Sequence, residues 1–125
     1  LLNSKEVWID RIHHDEIISI TSHLPHLIST ALVGTAKDNY DINEIMGMAA
    51  GGFDGATRLT RTNPEMIKDM YDTNSENINK FLKYFLDELM DLMDLQERDE
   101  LISYLNNSVH WRRALSEKFG ERPLS

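Results

Sequence analysis

The chain has 125 residues, of which 41% are hydrophobic and 27% charged, and this balance predicts one folded domain with a packed core. Its net charge of -8 argues against nucleic acid or an anionic membrane as the main partner, and we expect no transmembrane span because no apolar run reaches the required length of about 18 residues. The absence of cysteine excludes a disulfide framework and a thiolate metal site, and we expect a cytoplasmic protein.

The first predicted element is a long helix. Apolar residues recur at steps of three and four over residues 17–32, which places them on one helical face. Pro25 lies inside this pattern and lacks a backbone donor, so it should bend the helix. We predict one helix over residues 4–35 with a bend near Leu24 and Pro25.

A glycine-rich segment follows the first helix. The turn-forming residues 37–41 end that helix, and a short helix is expected over residues 41–50. Three glycines then lie within residues 51–55. Because each glycine in a helix interior costs roughly 1 kcal/mol, we predict a loosened backbone here, leading into another short helical turn.

Two asparagines mark the next helix starts. Asn63 followed by Pro64 is typical of an N-cap and a first helical position, and predicts a helix to about residue 72. Asn74 or Ser75 is expected to cap the following helix. Its apolar residues form a wide, coiled-coil-like seam: Ile78, Phe81, Leu82, Phe85, Leu86, Leu89, Leu92 and Met93. Such a helix is either central in the core or shared with a second chain.

The last helix is predicted over residues 96–119. We expect Gly120 to end it, because glycine is common just past a helix C-terminus. Hardly any segment alternates with a period of two residues, so no sheet is predicted. The apolar residues expected to face inward are Leu101, Leu105, Val109 and Leu115.

The first helix also carries a polar face opposite its apolar one. Relative to Asp15, a straight helix places Ser19, Ser22 and His26 within about 40°. This face is either the solvated side of an amphipathic helix or a functional surface, since solvated faces usually carry Lys and Glu rather than Ser and His. The spacing of His23 and His26 could suggest a metal site. Because zinc requires three or four converging ligands, we expect no metal site here.

Arg58 is the second candidate for chemistry. The preceding glycines either serve only a connection between helices or bring Arg58 toward an anion, because guanidinium suits bidentate binding of a carboxylate. Arg61 is either a surface residue or the partner of Asp54 or Glu65.

Together, these segments resemble the C-terminal domain of the prephenate dehydrogenase family, over most of the chain up to about Leu89. The order and spacing of the matching strings are specific, although each string alone is weak. The strings are His14-Asp15, Ser22-His23-Leu24-Pro25-His26, Gly51-Gly52-Phe53, Thr57-Arg58 and Asn63-Pro64-Glu65-Met66.

The resemblance implies an all-α fold, a helical bundle with a long kinked first helix and an intertwined dimerisation domain of the 6-phosphogluconate-dehydrogenase C-terminal-like type. Residues 1–125 would form one helical C-terminal domain. A nucleotide-binding domain is expected before it, and the sequence opens on Leu1 rather than Met. No glycine-rich phosphate loop occurs here, so NAD or NADP is expected in that other domain, together with the principal catalytic histidine of the family.

The activity implied by the resemblance is the oxidative decarboxylation of prephenate to 4-hydroxyphenylpyruvate, in tyrosine biosynthesis. By resemblance, His26 lines the prephenate site and Arg58 binds a substrate carboxylate. Many family members carry an aromatic residue where this chain has Ile67, so that contact is not carried over. Residues implied less directly in the site are His14, Asp15, Ser22 and His23.

Three further expectations complete the sequence-based hypothesis. The apolar seam over residues 78–95 predicts a symmetric homodimer. We expect Arg58 and His26 to approach each other on one concave surface. Two other functions fit the same residues: an arogenate dehydrogenase domain, or a non-catalytic helical dimerisation module without a substrate.

Overall fold

The computed structural model describes residues 10–48, 50–95 and 97–119, and within these ranges every regular element is helical. The all-α prediction is therefore confirmed. A π-helical turn at Ser19–His23 joins the first two helices, and a 3-10 turn at Arg58–Arg61 follows the fourth. The helices are α1 (Arg11–Ile18), α2 (Leu24–Asn39), α3 (Ile42–Met48), α4 (Gly51–Thr57), α5 (Pro64–Asp94) and α6 (Arg98–Phe119).

Helices α1 and α2 and the π turn form one continuous helix of 29 residues. It begins after Asp10, whose carboxylate accepts the His13 N–H at 2.8 Å. A π turn lies at the position of the predicted bend, and in it the Leu24 N–H donates to the Ser19 carbonyl five residues back. The turn accommodates Pro25, which has no N–H to donate. The helix ends at Asn39, four residues later than predicted, and its expected start near residue 4 lies outside the described residues.

The same helix is long and apolar enough to cross a membrane, judged by length and composition alone. The core helix of a soluble protein meets that criterion too, so the finding is weak. Our expectation that the chain has no membrane partner stays a prediction.

The glycine-rich segment is helical, so the predicted loosening is wrong. The chain breaks at Ala50, which is extended with φ -128° and ψ -175°, and all three glycines lie within α4. A buried contact holds α4 against α2, since the Ser29 hydroxyl donates to the Ala56 carbonyl at 2.6 Å. Tertiary contact thus overrides the weak helix propensity of glycine.

Helix α5 consists of two helices that meet at Asn74, where φ is -140° and ψ is 29°. The predicted boundary at this residue is confirmed. The predicted cap before Pro64 is confirmed as well, because the Asn63 side chain accepts the Glu65 N–H at 2.8 Å. Asn74 also ties the bend to α1, since its Nδ2 donates to the Asp15 carbonyl at 2.9 Å.

The chain divides into two compact units, Leu1–Leu82 and Lys83–Ser125. In the first unit, Ile78 and Leu24 are the buried apolar residues of the described chain, at 1% and 7% exposure. Ser19, Ser29 and Thr57 are buried as well. The core of the first unit is therefore small and partly polar.

The second unit leaves its apolar side chains exposed. Leu105, Val109 and Leu115 on α6 are exposed, so the prediction that they face inward is wrong for the chain by itself. Leu101 is half-buried. The α6 residues predicted to face inward are thus largely left uncovered within this unit, and the expected stop at Gly120 lies outside the described residues.

Candidate functional site

A groove of about 580 Å³ runs along α2, with the 3-10 turn and the start of α5 forming its other wall. We name it the His26 groove. Its volume lies within the usual range for small-molecule sites, about 300–1,000 Å³. Part of the lining is apolar and includes Leu27, Leu59 and Ile67. The polar lining residues are His26, Thr30, Lys37, Thr60, Thr62, Lys68 and Tyr71.

The charge of the His26 groove is opposite to that of the chain. Lys37 and Lys68 line it, and among the described residues no Asp or Glu does, although the chain carries a net charge of -8. Each lysine has an ion-pair partner: Lys37 Nζ lies 3.0 Å from Asp38 Oδ1, and Lys68 Nζ lies 2.6 Å from Asp72 Oδ2. The hydrogen bond that Lys68 donates to Asp72, followed by the charge of Asp72, raises the pKa of Lys68. The groove, with two lysines and no carboxylate among its described lining residues, therefore suits an anion.

His26 is held in one orientation by bonds at both ring nitrogens. Its Nδ1 lies 2.8 Å from the Ser22 carbonyl oxygen, and its Nε2 lies 3.3 Å from the Thr62 hydroxyl. A carbonyl oxygen only accepts, so Nδ1 carries the proton and the neutral ring accepts at Nε2 from Thr62. His26 therefore offers an acceptor on the groove side as long as it is neutral.

His23 faces the interior instead of the groove. Its Nδ1 lies 3.4 Å from Asn74 Nδ2, and the ring borders a void of about 10 Å³ together with Met70, Tyr71 and Ile78. Burial lowers the pKa of His23, the nearby His26 lowers it further, and Asp15 partly opposes both. A neutral His23 is thus favoured, and it accepts from the Asn74 amide.

The other residues of the polar face lie away from the groove. His14 Nδ1 is 3.4 Å from Asp15 Oδ1, and both side chains are largely exposed. Ser22 contributes its backbone carbonyl to His26, which is an indirect role. None of these three lines the His26 groove, and a direct substrate contact for them stays a prediction.

Arg58 begins the 3-10 turn, which packs against α2. Its Nη2 lies 3.1 Å from Asp54 Oδ2, so Arg58, and not Arg61, is the partner of Asp54. Arg58 is not among the residues lining the His26 groove, although Thr62, just after the same turn, is. Its approach to His26 on one concave surface stays a prediction.

Sequence reasoning missed Lys37, Lys68 and Thr62. A usable signal existed for one of them, because Lys37 lies eleven residues after His26 and therefore about 20° away on a helical wheel. The polar face that the sequence predicts on the first helix ends at His26. Lys68 and Thr62 come from other elements, and no local pattern connects them to α2.

A second groove, of about 810 Å³, lies between α2, α3 and α4. Its lining is mostly apolar and includes Val33, Ile45 and Phe53, with Asp41 and Asp54 at its edge. Within the described ranges, no group of three or more His, Cys, Asp or Glu side chains is placed to hold a metal ion. The His26 groove, with its cations and hydroxyls, is thus the stronger candidate for a polar ligand.

Known proteins show the same domain. The family model for the prephenate dehydrogenase dimerization domain matches residues 10–107. A cyclohexadienyl dehydrogenase of Zymomonas mobilis is 31% identical over 116 residues, which cover 89% of this chain and 40% of that protein. The chain thus spans less than half the length of this relative.

Solved structures agree. The prephenate dehydrogenase from A. aeolicus, in complex with hydroxyphenyl propionate and NAD+, superposes with a TM-score of 0.77 and 30% identity, covering 86% of this chain and 39% of that one. The Synechocystis arogenate dehydrogenase gives a TM-score of 0.71 and 28% identity, covering 82% of this chain and 39% of that one. The chain therefore belongs to the family of prephenate dehydrogenase dimerization domains.

Proposed function

We propose that this chain is the C-terminal domain of a dehydrogenase that oxidatively decarboxylates prephenate to 4-hydroxyphenylpyruvate, and that it binds a substrate carboxylate in the His26 groove. The observation that supports this most directly is a groove lined by Lys37, Lys68 and His26, without a carboxylate among its described lining residues, in a chain of net charge -8. Prephenate carries two carboxylates, and a cleft that binds it needs fixed cations and donors.

The lysines and Arg58 are suited to different roles in binding the substrate carboxylates. Lys37 and Lys68 are exposed at the groove, where they attract an anion without fixing its geometry. Arg58, by resemblance, fixes one carboxylate, and to do so it must exchange the Asp54 carboxylate for that of the substrate. The carboxylate lost as carbon dioxide must be held loosely, because tight binding of a charge that disappears in the transition state would slow the reaction.

NAD or NADP would supply the hydride acceptor for this reaction. Dinucleotide binding uses a strand, a glycine-rich loop and a helix, whereas the described ranges of this chain consist of helices and short turns. The residues present do not fit the cofactor, so we assign it to a nucleotide-binding domain outside this sequence. That assignment agrees with the 40% of the Zymomonas relative that the chain covers.

A homodimer is the second part of the proposal. The matched family is named as a dimerization domain. Exposed apolar side chains on α5 and α6, among them Leu89, Met93 and Val109, provide a surface that a second copy would cover. A cytoplasmic enzyme without a nucleic-acid or membrane partner completes the proposal.

Arogenate is the alternative substrate, favoured by the structural likeness to the Synechocystis arogenate dehydrogenase. It carries an amino group where prephenate has a keto group, and it keeps both carboxylates. The same groove would therefore serve either compound. Comparing kcat/KM of the full-length enzyme for the two substrates separates the possibilities.

Kinetics of the full-length enzyme with prephenate test the site. Arg58→Ala should raise KM by about 10- to 150-fold, because a charge-assisted contact contributes about 1.5–3 kcal/mol. His26→Ala should cost less, about 0.5–1.5 kcal/mol, because it removes one hydrogen bond from the groove while Arg58, Lys37 and Lys68 keep their charges. Arg61→Ala is the matched control from the same turn, and its KM should stay near that of the wild type.

Two results would count against this assignment. If Arg58→Ala leaves KM unchanged or unfolds the domain, Arg58 is a structural residue. If the full-length protein oxidises neither prephenate nor arogenate with either cofactor, the dehydrogenase proposal fails and a non-catalytic dimerisation module becomes the better hypothesis.

A further inference from the structure

We propose that the His26 groove takes up about one proton with each carboxylate it binds, and that His26 receives this proton. The inference rests on the proposed function, because it describes how the same groove holds its anion. It follows from the two hydrogen bonds of the His26 ring and from the charges around them.

The first step is the fixed orientation of the ring. The Ser22 carbonyl accepts from Nδ1 at 2.8 Å, so the single proton of a neutral His26 stays on that nitrogen. Turning the ring over would put a carbon beside this carbonyl and break the bond. A neutral His26 therefore always presents a lone pair at Nε2.

The second step concerns what that lone pair excludes. In the free groove the Thr62 hydroxyl, 3.3 Å from Nε2, can donate to it. An ionised carboxylate also has only lone pairs, so it and a neutral Nε2 repel each other. Protonating Nε2 converts it into a charged donor, which makes a short, charge-assisted bond to a carboxylate, and leaves the Thr62 hydroxyl to rotate.

The third step explains why the proton arrives with the ligand. The lysines that line the groove with His26 are Lys37, on the same helix, and Lys68, on α5, together with the phenol of Tyr71. His23 lies outside the groove but near enough to His26 for their charges to interact. Asp15, on α1, acts on His23. In the 3-10 turn Arg58 is held by Asp54. No carboxylate among the described residues lines the groove to stabilise an imidazolium, so a bound carboxylate is the missing counter-ion.

The coupling has a measurable consequence. Where binding takes up one proton, affinity for the carboxylate falls about tenfold for each pH unit of increase. A neutral carboxamide analogue can donate an N–H to the neutral Nε2, so it needs no added proton and its affinity should not follow pH in this way.

Calorimetric titration of the full-length protein with 3-(4-hydroxyphenyl)propionate tests the inference. Titrations at pH ~8, above the usual range of histidine, in buffers of different ionisation enthalpy, give the number of protons taken up. We expect about one proton for the wild type and none for His26→Gln. The matched control His23→Gln should keep the uptake, and the carboxamide analogue should bind the wild type without it.

The outcomes separate this inference from the proposed function. Binding without proton uptake, or equal uptake by His26→Gln, overturns the inference and leaves the proposed function standing. Failure of the wild type to bind the carboxylate at any pH overturns both. If His26→Gln does not fold, the 15N resonance of His26 Nε2 in the wild type decides, since it must change to that of a protonated nitrogen on binding.

Discussion

The two compact units of the chain differ in how their side chains are satisfied. In Leu1–Leu82, polar side chains bind across elements, as Ser29 does to Ala56 at 2.6 Å and Lys80 to Glu16 at 2.7 Å. In Lys83–Ser125, large apolar side chains lie in the open, with Met93 at 77% and Trp111 at 72% exposure. Both units expose large apolar side chains, but the buried apolar residues among the described ones, Leu24 and Ile78, both belong to the first unit.

This difference separates ligand binding from assembly. A groove for a charged ligand needs side chains held by fixed bonds, and the first unit supplies them around His26. An assembly surface needs apolar area that a partner removes from water, and the second unit supplies that. Mutations in the two units should therefore affect different measurements.

The largest expected effect is on assembly. The substitution Leu89→Lys tests this, because Leu89 lies on α5 and is 41% exposed. In a symmetric dimer it removes apolar area and adds a charge in both copies. Since burying one leucine contributes about 1.5–3 kcal/mol, the dimer should lose at least roughly 3–6 kcal/mol. Sedimentation equilibrium measures the change, and Asp87→Lys, at an exposed acidic position of the same helix, is the control. An unchanged dimer constant for Leu89→Lys would remove the assembly role of this face.

The next effect tests the core of the first unit. Ile78 is 1% exposed, and Ile78→Ala should lower the free energy of unfolding by about 2–5 kcal/mol, through lost burial and the cavity left behind. Urea unfolding measures this free energy. Ile42→Ala, at a position that is 68% exposed in the same unit, is the control. Equal effects from the two substitutions would mean that Ile78 does not anchor a core.

A smaller effect is expected at the bend of α5. Asn74→Ala leaves the Asp15 carbonyl and His23 Nδ1 without their donor, which should cost about 1–3 kcal/mol of unfolding free energy. The control Asn39→Ala removes an exposed bond to the Thr35 carbonyl within one helix. If Asn74→Ala is no worse than this control, the cross-element bonds do not stabilise the first unit.

The smallest effect is a pH dependence at His23. Burial, followed by the charge of His26, lowers the pKa of folded His23 below 6.5, so the unfolded state binds the proton more readily. The stability that His23 contributes is therefore fully present above pH 6.5 and is lost as pH falls through the folded pKa. Urea unfolding across this range should show wild type losing stability relative to His23→Gln, with His110→Gln as an exposed control. A constant difference at all pH values would contradict the prediction.

Local patterns predicted the helix boundaries well, because a cap is set by a few neighbouring residues. Asn63 before Pro64 and the break at Asn74 both followed from this chemistry. Near Pro25 the sequence predicted an irregularity as a bend, whereas the structure has a π turn there, since either arrangement accommodates a proline.

Contacts between residues that are distant in sequence could not be predicted from the same local patterns. The glycine segment is helical beside Ser29, which lies 27 positions from its partner Ala56. Thr62 meets His26 across 36 positions, and only the tertiary fold brings them together. Periodicity marked an apolar face on α6, but it does not say whether the face is covered by the same chain or by another.

A crystal structure of the full-length protein with 3-(4-hydroxyphenyl)propionate tests the central claim most directly. The account predicts the ligand carboxylate in the His26 groove, within hydrogen-bond distance of His26 Nε2 and near the ammonium groups of Lys37 and Lys68. A carboxylate bound away from this groove, with His26 Nε2 still paired only to Thr62, would contradict it.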